Sequence, residues 1–494
     1  MRHASLLLGF GWIVGCSSGS FTVGGDPGAD ASDTGSDTSF DSALDSTRDS
    51  ITPPPDVIDT GDATKPCDPT AAPPESEGVF VSLSGNDVHD GSAAKPLRTI
   101  GAGITMARTK VKGRVFLDVG VYEESILLTD ANPGIFVEGG WKQGVTGAWR
   151  AVCDVTAIAM TEIRSADGVA VRVSNEGHLS GLRLLTVRTR DGATGVGDMA
   201  GESVVGVLAR GKATKVLLDR VVVLAGNAGS AGSMGSSTPP SPPPCNGLSD
   251  CYDGFAGAAG GGGAPASLGT FGPDGYVPAV AIAGSSGLPG HNGKLGVPES
   301  VLCAVCKGGC VATGETCLSG TKSTSGTPGK CGCGGGGGAG GALGRSGGAS
   351  VGVLVHEAKL AVVGVTIKSA KGGNGANGGA GGAGGPGQSG GTGTAAGCYA
   401  NCLVGGGTSC GAGTNGCVAG GAYVSTSAPA GTAGGTGGNG GAGGSGAGGP
   451  SYSLVLAAGA LVDDLTGATL TPGTGGTGGA GAPAGLSGPK LVQP

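Results

Sequence analysis

Short stretches in which apolar and polar residues alternate predict β-strands from residue 79 onward. The first stretch is 79–83, and the same alternation returns at 115–119 and 125–128. A short amphipathic helix ending near Lys112 is predicted between the first two strands, from the helical spacing of Ile100, Ile104, Ala107 and Val111. The order predicted here is therefore strand, helix, strand, strand.

Four later segments align with one another, and they predict a repeated coil. Each has an apolar run of about five residues, a polar turn and a second apolar alternation, and a period of about 20 residues is typical of a solenoid. The segments are 168–187, 204–223, 351–367 and 452–470. One such coil cannot bury its apolar face alone, so stacking of coils is expected to form the core.

The motifs of residues 78–150 resemble a known family. They read Val81-Ser82-x-x-Gly85-x-Asp87, Pro96-Leu97-x-Thr99-Ile100 and Gly120-x-Tyr122-x-Glu124-x-Ile126. This order is similar to the opening of right-handed parallel β-helix proteins of the pectin-lyase-like superfamily, in which it forms a capping helix and the first coil. The resemblance implies an all-β fold, a right-handed parallel β-helix, for residues 67–494.

Glycine is concentrated in two insertions between the coils and is in phase there. The chain has 112 Gly among 494 residues. In the insertions, 225–349 and 370–450, glycine recurs at every third position, for instance from Gly372 to Gly393. Three residues per turn is the geometry of polyproline-II, and only glycine permits close approach along one line. The phase favours a polyproline-II or polyglycine-II bundle. A flexible linker and an intermolecular collagen-like helix are the alternatives.

The beginning of the chain has the pattern of an export signal. A basic start and a short apolar run lead to Ile13-Val14-Gly15-Cys16, and the run is too short to span a bilayer. The ending resembles a bacterial lipobox, which implies a signal peptide over 1–16 and acylation of Cys16. Ordinary signal cleavage is the alternative. By the sorting rule of enteric bacteria, Ser17 favours the outer membrane, so a lipid-anchored protein of the outer membrane or cell surface is expected.

The acidic charge of the chain is concentrated in residues 17–66. Formal net charge is −7, and Asp recurs every three or four positions between Asp26 and Asp49. A segment this polar cannot bury enough apolar surface to fold, so a disordered spacer is predicted. Nucleic-acid binding requires a basic face, and the sequence has no basic stripe, so no nucleic-acid partner is expected.

Fifteen cysteines indicate disulfide chemistry outside the cytoplasm. Without Cys16 the number is even, and disulfides are expected with the pairing open and with even-numbered local groups. The residues are Cys67, Cys153, Cys245, Cys251, Cys303, Cys306, Cys310, Cys317, Cys331, Cys333, Cys398, Cys402, Cys410 and Cys417. The spacing of Cys303, Cys306 and Cys310 is also compatible with a thiolate metal site, but the expectation is no metal and no cofactor.

Polar residues on the predicted coils offer little catalytic chemistry. Pectate lyases and polygalacturonases share the implied fold, but Gly177-His178-Leu179 and the Asp463-Asp464 pair fail to match their motifs. The other outward residues are expected to be solvated faces: Arg183, Arg188, Arg190, Asp219, Arg220, His356 and Glu357. No catalytic residue is predicted.

The function expected from these patterns is that of a non-catalytic, lipid-anchored surface protein used in adhesion, polysaccharide contact or envelope structure. Its partners would be the membrane, through the anchor, and an extracellular polysaccharide or another cell surface. A lyase or hydrolase acting on acidic polysaccharide is the first alternative. Ice or flat-surface binding by the glycine-rich bundles is the second.

Overall fold

The alternation of apolar and polar residues produces three parallel β-sheets around one apolar core. The computed structural model describes residues 68–129, 134–153, 157–175, 177–232, 245, 249–297, 320–324, 326–394, 397–401 and 429–494. The predicted signal peptide (1–16) and acidic spacer (17–66) lie outside these residues. Stacked parallel strands dominate the described part, which confirms the predicted all-β class.

Sheet 1 contains the first strand of each coil. In spatial order its parallel strands are β1 (Gly78–Val81), β2 (Arg114–Asp118), β5 (Phe136–Gln143), β9 (Leu179–Arg183), β12 (Lys215–Asp219), β18 (Lys359–Val363) and β22 (Leu461–Val462). Strand β6 (Trp149–Ala151) pairs antiparallel with β5.

Sheets 2 and 3 contain the second and third strands of the coils. Sheet 2 consists of β3 (Gly120–Tyr122), β7 (Thr161–Ser165), β10 (Thr186–Thr189), β13 (Val222–Leu224), β19 (Thr366–Lys368) and β23 (Thr469–Thr471). Sheet 3 consists of β4 (Ile126–Thr129), β8 (Val169–Ser174), β11 (Val204–Arg210), β17 (Ser350–His356), β21 (Ser451–Ala457) and β24 (Ser487–Gln493).

Apolar side chains stack in rows through the interior. One row crosses sheet 1 in register, through Val79, Val115, Val137, Leu182, Leu218 and Val362. All six are buried, and full burial of one such side chain contributes about 1.5–3 kcal/mol. Aliphatic rows of this kind explain how a chain with 3% aromatic residues builds a core.

The predicted coil alignment is confirmed by strand register. Val205 of β11 pairs with Val169 on one side and with Val351 on the other, and Val351 pairs with Tyr452. These four residues lie at the first or second position of the equivalent strands β8, β11, β17 and β21. Each of three successive coils also turns from sheet 1 to sheet 2 through one residue of positive φ, namely Leu184 (49°), Arg220 (52°) and Gly364 (57°).

The family-like motifs at the beginning of the body hold helix α1 (Ile100–Thr109) against the first coils. Asp87 accepts hydrogen bonds from the Arg98 and Thr99 amides at 2.8 and 2.9 Å. Glu124 accepts from the Ile100 and Gly101 amides at 2.8 and 3.0 Å. Carboxylates at a helix N-terminus satisfy otherwise unpaired donors and interact favourably with the helix dipole. A second helix, α2 (Ala157–Met160), precedes β7.

Replacing Asp87 with Ala is expected to lower the free energy of unfolding by about 1–3 kcal/mol at neutral pH, since hydrogen bonds to a charged acceptor are lost. Partial burial opposes ionisation of Asp87, but hydrogen bonds from Thr99 and Arg98 outweigh it and lower the pKa below 3.8. A depressed folded-state pKa gives stability that is present above the unfolded value and is lost as pH falls through the folded value.

Urea unfolding of the Asp87→Ala variant and the wild type, at neutral pH and in acid, measures this effect. The difference between the two should shrink in acid. Asp463→Ala, which removes an exposed carboxylate, is the matched control. Equal stability of both variants at neutral pH would contradict the capping role of Asp87.

All glycine-rich excursions leave the body at the same corner, between a strand of sheet 2 and the following strand of sheet 3. They occupy 190–203, 225–349, 369–450 and 472–486, after β10, β13, β19 and β23. Excursions from successive coils therefore begin and end side by side. Gly192 donates to the Asn227 carbonyl, Ala228 to that of Lys371, and Gly372 to that of Thr474, at 2.7–2.9 Å.

The long excursions form a layered arrangement that we call the glycine slab, made of the runs 251–266, 280–297, 329–349, 371–394 and 429–450. Neighbouring runs are joined by backbone hydrogen bonds at three-residue intervals. Gly379, Gly382 and Gly385 donate to Ala342, Ala339 and Gly336 at 2.7 Å, between antiparallel runs. Gly335, Gly338 and Gly341 donate to Gly435, Gly438 and Gly441 at 2.7–2.9 Å, between parallel runs.

Two antiparallel strand pairs complete the excursions. Strands β14 (Thr270–Gly272) and β15 (Gly275–Val277) form a hairpin that covers the outer face of sheet 3 with Phe271 and Tyr276. The Phe271 amide donates to the Gln493 side chain at 3.0 Å. Strand β16 (Gly320–Thr324) of the first long excursion pairs with β20 (Gly397–Asn401) of the second.

Candidate functional site

The runs of the glycine slab lie too close together for any side chain at the in-phase positions. A Cβ atom added to Gly381 would lie 1.9 Å from the Gly440 carbonyl oxygen, and one on Gly440 would lie 1.8 Å from that of Ala339. Positions on the slab surface are open: a Cβ on Gly262 would meet its nearest neighbour at 3.8 Å. The three-residue phase of glycine thus coincides with lines of closest backbone approach. On run 429–450 a second position of the triplet is closed as well, since a Cβ on Gly441 would lie 2.0 Å from the Gly261 carbonyl oxygen.

One face of the slab carries large exposed side chains, which we call the aromatic strip. It consists of Tyr252 and Phe255 on run 251–266, and of Leu288, His291 and Lys294 on the adjacent run 280–297. Tyr252, Phe255 and Leu288 are 63%, 65% and 60% exposed. Exposed aromatic rings are unusual in a chain with so few of them, so the strip is the strongest candidate interaction surface among the described residues.

The backbone ladder sets the positions of these side chains. The backbone amide of His291 donates to the Phe255 carbonyl at 2.8 Å, and the amide of Leu288 donates to the Ala258 carbonyl at 2.9 Å. The Tyr252 and His291 rings meet edge to face with centroids 6.1 Å apart. Leu288, His291 and Lys294 are three residues apart on run 280–297, so their side chains share one line at a spacing of ~9 Å. Gly254 has a φ of 70° and its amide donates to the Asn292 carbonyl at 2.8 Å, so the regular part of run 251–266 begins at Phe255.

Two disulfides fix the end of the slab that carries Tyr252. Cys251 pairs with Cys331 and Cys245 with Cys333, with Cα atoms 5.8 and 5.9 Å apart. Asn292 reinforces this end by donating to the Asp250 carbonyl at 2.6 Å and accepting from the Gly334 amide at 2.8 Å. The strip therefore stands on a cross-linked backbone.

These two bridges supply pairings that the sequence leaves open. Each joins the 245–251 group to the 303–333 group, because run 329–349 returns beside the segment that begins the excursion. Cys153 is also disulfide-bonded. Cys398 belongs to strand β20. The remaining cysteines lie outside the described residues: Cys16, Cys67, Cys303, Cys306, Cys310, Cys317, Cys402, Cys410 and Cys417.

A cleft of about 510 Å³ lies beside the hairpin that covers sheet 3. Its lining includes Arg210, Lys212, Pro273, His356 and Glu357. Arg210 forms an ion pair with Asp274 of the hairpin, and Lys212 lies 3.9 Å from Glu357. His356 and Glu357, both predicted as outward residues, thus line one cleft. The charged groups of this cleft are compensated, Arg210 by Asp274 and Lys212 by Glu357.

Arg183 and Asp219, expected on a solvated face, instead belong to a buried charge ladder. Asp219 is 5% exposed, and its carboxylate lies 2.8 Å from Arg183 Nε and 3.0 Å from Arg220 Nε. Strand register places Glu138 beside Arg183 and Arg183 beside Asp219. Burial raises the pKa of the Glu138 carboxyl, against the lowering influence of Arg183 and Arg114. The solvated-face prediction is therefore wrong for Arg183 and Asp219.

Arg188 and Arg190, also predicted as outward residues, lie in and just after strand β10 of sheet 2, and both form ion pairs. Arg188 Nε lies 3.0 Å from a Glu162 oxygen, and both Arg190 terminal nitrogens donate to Glu202 at 2.6 and 2.8 Å. The pKa of Arg190 is raised by the hydrogen bond with Glu202. These half-exposed pairs stabilise coil edges and leave no isolated cationic group on either arginine.

Asp463 and Asp464 are exposed at a turn after β22. The Asp464 carboxylate accepts from the Thr466 amide and hydroxyl at 2.8 and 2.7 Å, which lowers its pKa. His178 is half-buried in the turn before β9. The structure does not bring Asp463 or Asp464 together with His178 or with the cleft at His356. It assigns Asp464 a local role in shaping its turn.

The described ranges contain no group of three or more His, Cys, Asp or Glu side chains arranged to hold a metal ion. Within the same ranges, no helix has both the length and the apolar character needed to cross a membrane.

Comparison with known proteins returned no relatives. No family model, no curated protein and no solved structure matches the chain. The resemblance to pectin-lyase-like proteins therefore rests on the motifs of residues 78–150 and on the parallel-sheet architecture.

The sequence contains a signal for the aromatic strip that is unrelated to any catalytic motif. Tyr252-Asp253-Gly254-Phe255-Ala256-Gly257 continues the three-residue phase with an aromatic residue in the same place of two successive triplets. The sequence does not show that run 280–297 lies beside run 251–266. The two runs become neighbours only because the chain reverses direction through the hairpin between residues 266 and 281.

Proposed function

We propose that the body is a right-handed parallel β-helix of the pectin-lyase-like type, and that its excursions form a polyglycine-II bundle. The three parallel sheets support the first part, as do the turn residues of positive φ that recur in successive coils. Backbone hydrogen bonds at three-residue intervals, between runs in both orientations, support the second. Both parts describe a rigid platform built on one corner of a solenoid.

The function that this architecture supports best is that of a non-catalytic, lipid-anchored surface protein that contacts polysaccharide or another cell surface. The observation that carries the proposal is the aromatic strip, which places large exposed rings on a cross-linked backbone. Rigid aromatic side chains supply contact area at low entropic cost, which suits adhesion. The acidic spacer would separate this platform from the membrane.

A polysaccharide panel tests the proposal. The full chain is mixed with neutral and acidic polysaccharides, and both retention and the release of new reducing or unsaturated ends are measured. The expected result is retention on at least one polymer without chain cleavage. Cleavage that is lost in an Asp463→Ala/Asp464→Ala variant would overturn the proposal in favour of a lyase or hydrolase.

Anchoring is tested separately at Cys16. The Cys16→Ala variant should appear in the soluble fraction and lose acyl labelling, since acyl chains contribute ~0.8 kcal/mol per buried CH₂ to membrane binding. A Cys67→Ala variant, which keeps the lipobox, is the control. Unchanged fractionation and labelling of Cys16→Ala would contradict the anchor.

A second function is binding to ice or another flat surface. It is favoured by another face of the slab, where the exposed side chains are small instead of large. Small residues are exposed there in regular rows, on run 429–450 at Ala433, Thr436, Asn439 and Ala442, and on run 371–394 at Asn377, Ala380, Ala383 and Pro386. Thermal hysteresis of the full chain, abolished by Ala383→Lys, would support this function. Absence of hysteresis would remove it.

A further inference from the structure

The aromatic strip has a regular spacing that selects the shape of a ligand. Its regular row follows run 280–297, with Leu288, His291 and Lys294 on one line. Tyr252 and Phe255 flank this row from the adjacent run. Consecutive positions on a line are ~9 Å apart, because three residues rise by ~3.1 Å each. An extended chain of pyranose rings, in which every second ring presents the same face, has a comparable repeat. A compact or helical ligand would contact one row position only.

The polar groups of the strip balance in charge. Lys294 Nζ lies 3.3 Å from an Asp253 carboxylate oxygen, so its charge is compensated locally. A polyanion, whether a uronate polymer or single-stranded nucleic acid, requires uncompensated cations along its path in addition to stacking platforms. The paired Lys294 and Asp253, with His291 beside them, instead offer donors and acceptors of the kind that neutral hydroxyl groups need.

The strip is also prepared for binding before any ligand arrives. Tyr252 follows Cys251 directly, and Cys251 is cross-linked to run 329–349 through Cys331. His291 and Tyr252 are already in edge contact, and the backbone beneath them is hydrogen-bonded to adjacent runs. A surface ordered in advance loses less entropy on binding, so weak stacking contacts are sufficient for useful affinity.

From these three observations we infer that the aromatic strip binds one extended, neutral, β-1,4-linked polysaccharide chain lengthwise along the slab. The chain follows the row of Leu288, His291 and Lys294, and the rings of Tyr252 and Phe255 flank it and pack against its sugar rings. Leu288 contacts the apolar edge of the chain, and His291, Lys294 and Asp253 bond its hydroxyl groups. This inference rests on the proposed surface-binding function and adds the substrate class and the residues.

Affinity electrophoresis and calorimetry of the full chain test the inference with four probes. Cellohexaose and chitohexaose represent extended neutral chains, maltohexaose is the helical control, and polygalacturonate is the acidic control. The expected result is binding of at least one extended neutral probe and weaker binding of both controls. Tyr252→Ala and Phe255→Ala should each weaken that binding about tenfold, by analogy with stacking on aromatic platforms.

Variants separate the role of the strip from folding and from the general function. Tyr252→Phe keeps the ring and should retain binding, and Val145→Ala, which removes an exposed apolar side chain far along the chain, should change nothing. Binding of a neutral probe that survives the Tyr252→Ala/Phe255→Ala double variant would overturn the strip while leaving the surface-binding function standing. Failure of the wild type to bind any polysaccharide would overturn both. Loss of self-association in the double variant, without a change in sugar binding, would assign the strip to contact between copies of this chain.

Discussion

Replacing Gly440 with Ala is expected to destabilise the glycine slab by about 3 kcal/mol, the upper part of the usual range for overpacking. The new Cβ would lie 1.8 Å from the Ala339 carbonyl oxygen, which belongs to a backbone that cannot rotate away. Run 429–450 is hydrogen-bonded on several sides, to runs 329–349, 371–394 and 280–297. Any shift that relieves the clash therefore breaks hydrogen bonds elsewhere. Thermal unfolding and limited proteolysis of the full chain measure the effect.

A matched pair on the edge run separates close packing from loss of glycine itself. Gly263→Ala would place a Cβ 1.9 Å from the Ile282 carbonyl oxygen, whereas Gly262→Ala meets its nearest neighbour at 3.8 Å. The first should destabilise by about 1–3 kcal/mol. The second should be neutral or stabilise by up to about 1 kcal/mol, because alanine restricts the unfolded chain. Equal tolerance of Gly262→Ala, Gly263→Ala and Gly440→Ala would contradict the packing described for the slab.

Asp219→Ala is expected to destabilise the body by about 3–5 kcal/mol, the cost of removing one partner of a buried ion pair. The Asp219 carboxylate accepts from Arg220 at 3.0 and 3.1 Å and pairs with Arg183 at 2.8 Å. Without it, Arg183 is left on a sheet face with 15% side-chain exposure and with reduced compensation of its charge. Chemical denaturation measures the loss.

The control for Asp219→Ala is Asp274→Ala, which removes an acidic partner that is 80% exposed and pairs with Arg210. Exposed ion pairs contribute about 0–1 kcal/mol, so this variant should be close to wild type. Asp219→Asn keeps the size of the side chain and removes its charge. We expect this variant to remain destabilised, because a neutral amide cannot compensate the guanidinium groups of Arg183 and Arg220. Wild-type stability of both Asp219 variants would show that the ladder is not buried in solution.

Local pattern was sufficient to predict many of the elements of the body. Strand β2 was predicted over 115–119 and is observed at Arg114–Asp118, and α1 begins at Ile100 as predicted. These elements follow from alternation and helical spacing, which depend on a few neighbouring residues. The stacking of coils followed from the same information, because identical positions of each repeat must face the same core.

Features that depend on distant residues were not predictable in this way. The bridges Cys245–Cys333 and Cys251–Cys331 span 88 and 80 residues and require knowledge of how the excursion returns. The burial of Asp219 depends on a partner, Arg183, from the preceding coil. The hairpin Thr270–Val277 covers sheet 3 through contacts with Tyr452 and with Gln493, which follows Phe271 by 222 residues. No local pattern specifies such pairs.

Amide hydrogen exchange of the full chain, resolved by residue, tests the central claim that the glycine-rich runs form an ordered, hydrogen-bonded slab. In run 371–394 slow exchange should recur with period three from Gly379 onward, at the backbone donors Gly379, Gly382, Gly385, Gln388 and Gly391. At the start of this run protection should be denser, because Gly372, Gly373, Gly375 and Ala376 all donate. In run 429–450, where Gly434 and Gly435 both donate, two amides of every three should be protected. Uniformly fast exchange through both runs, with protection confined to the three sheets, would contradict the account.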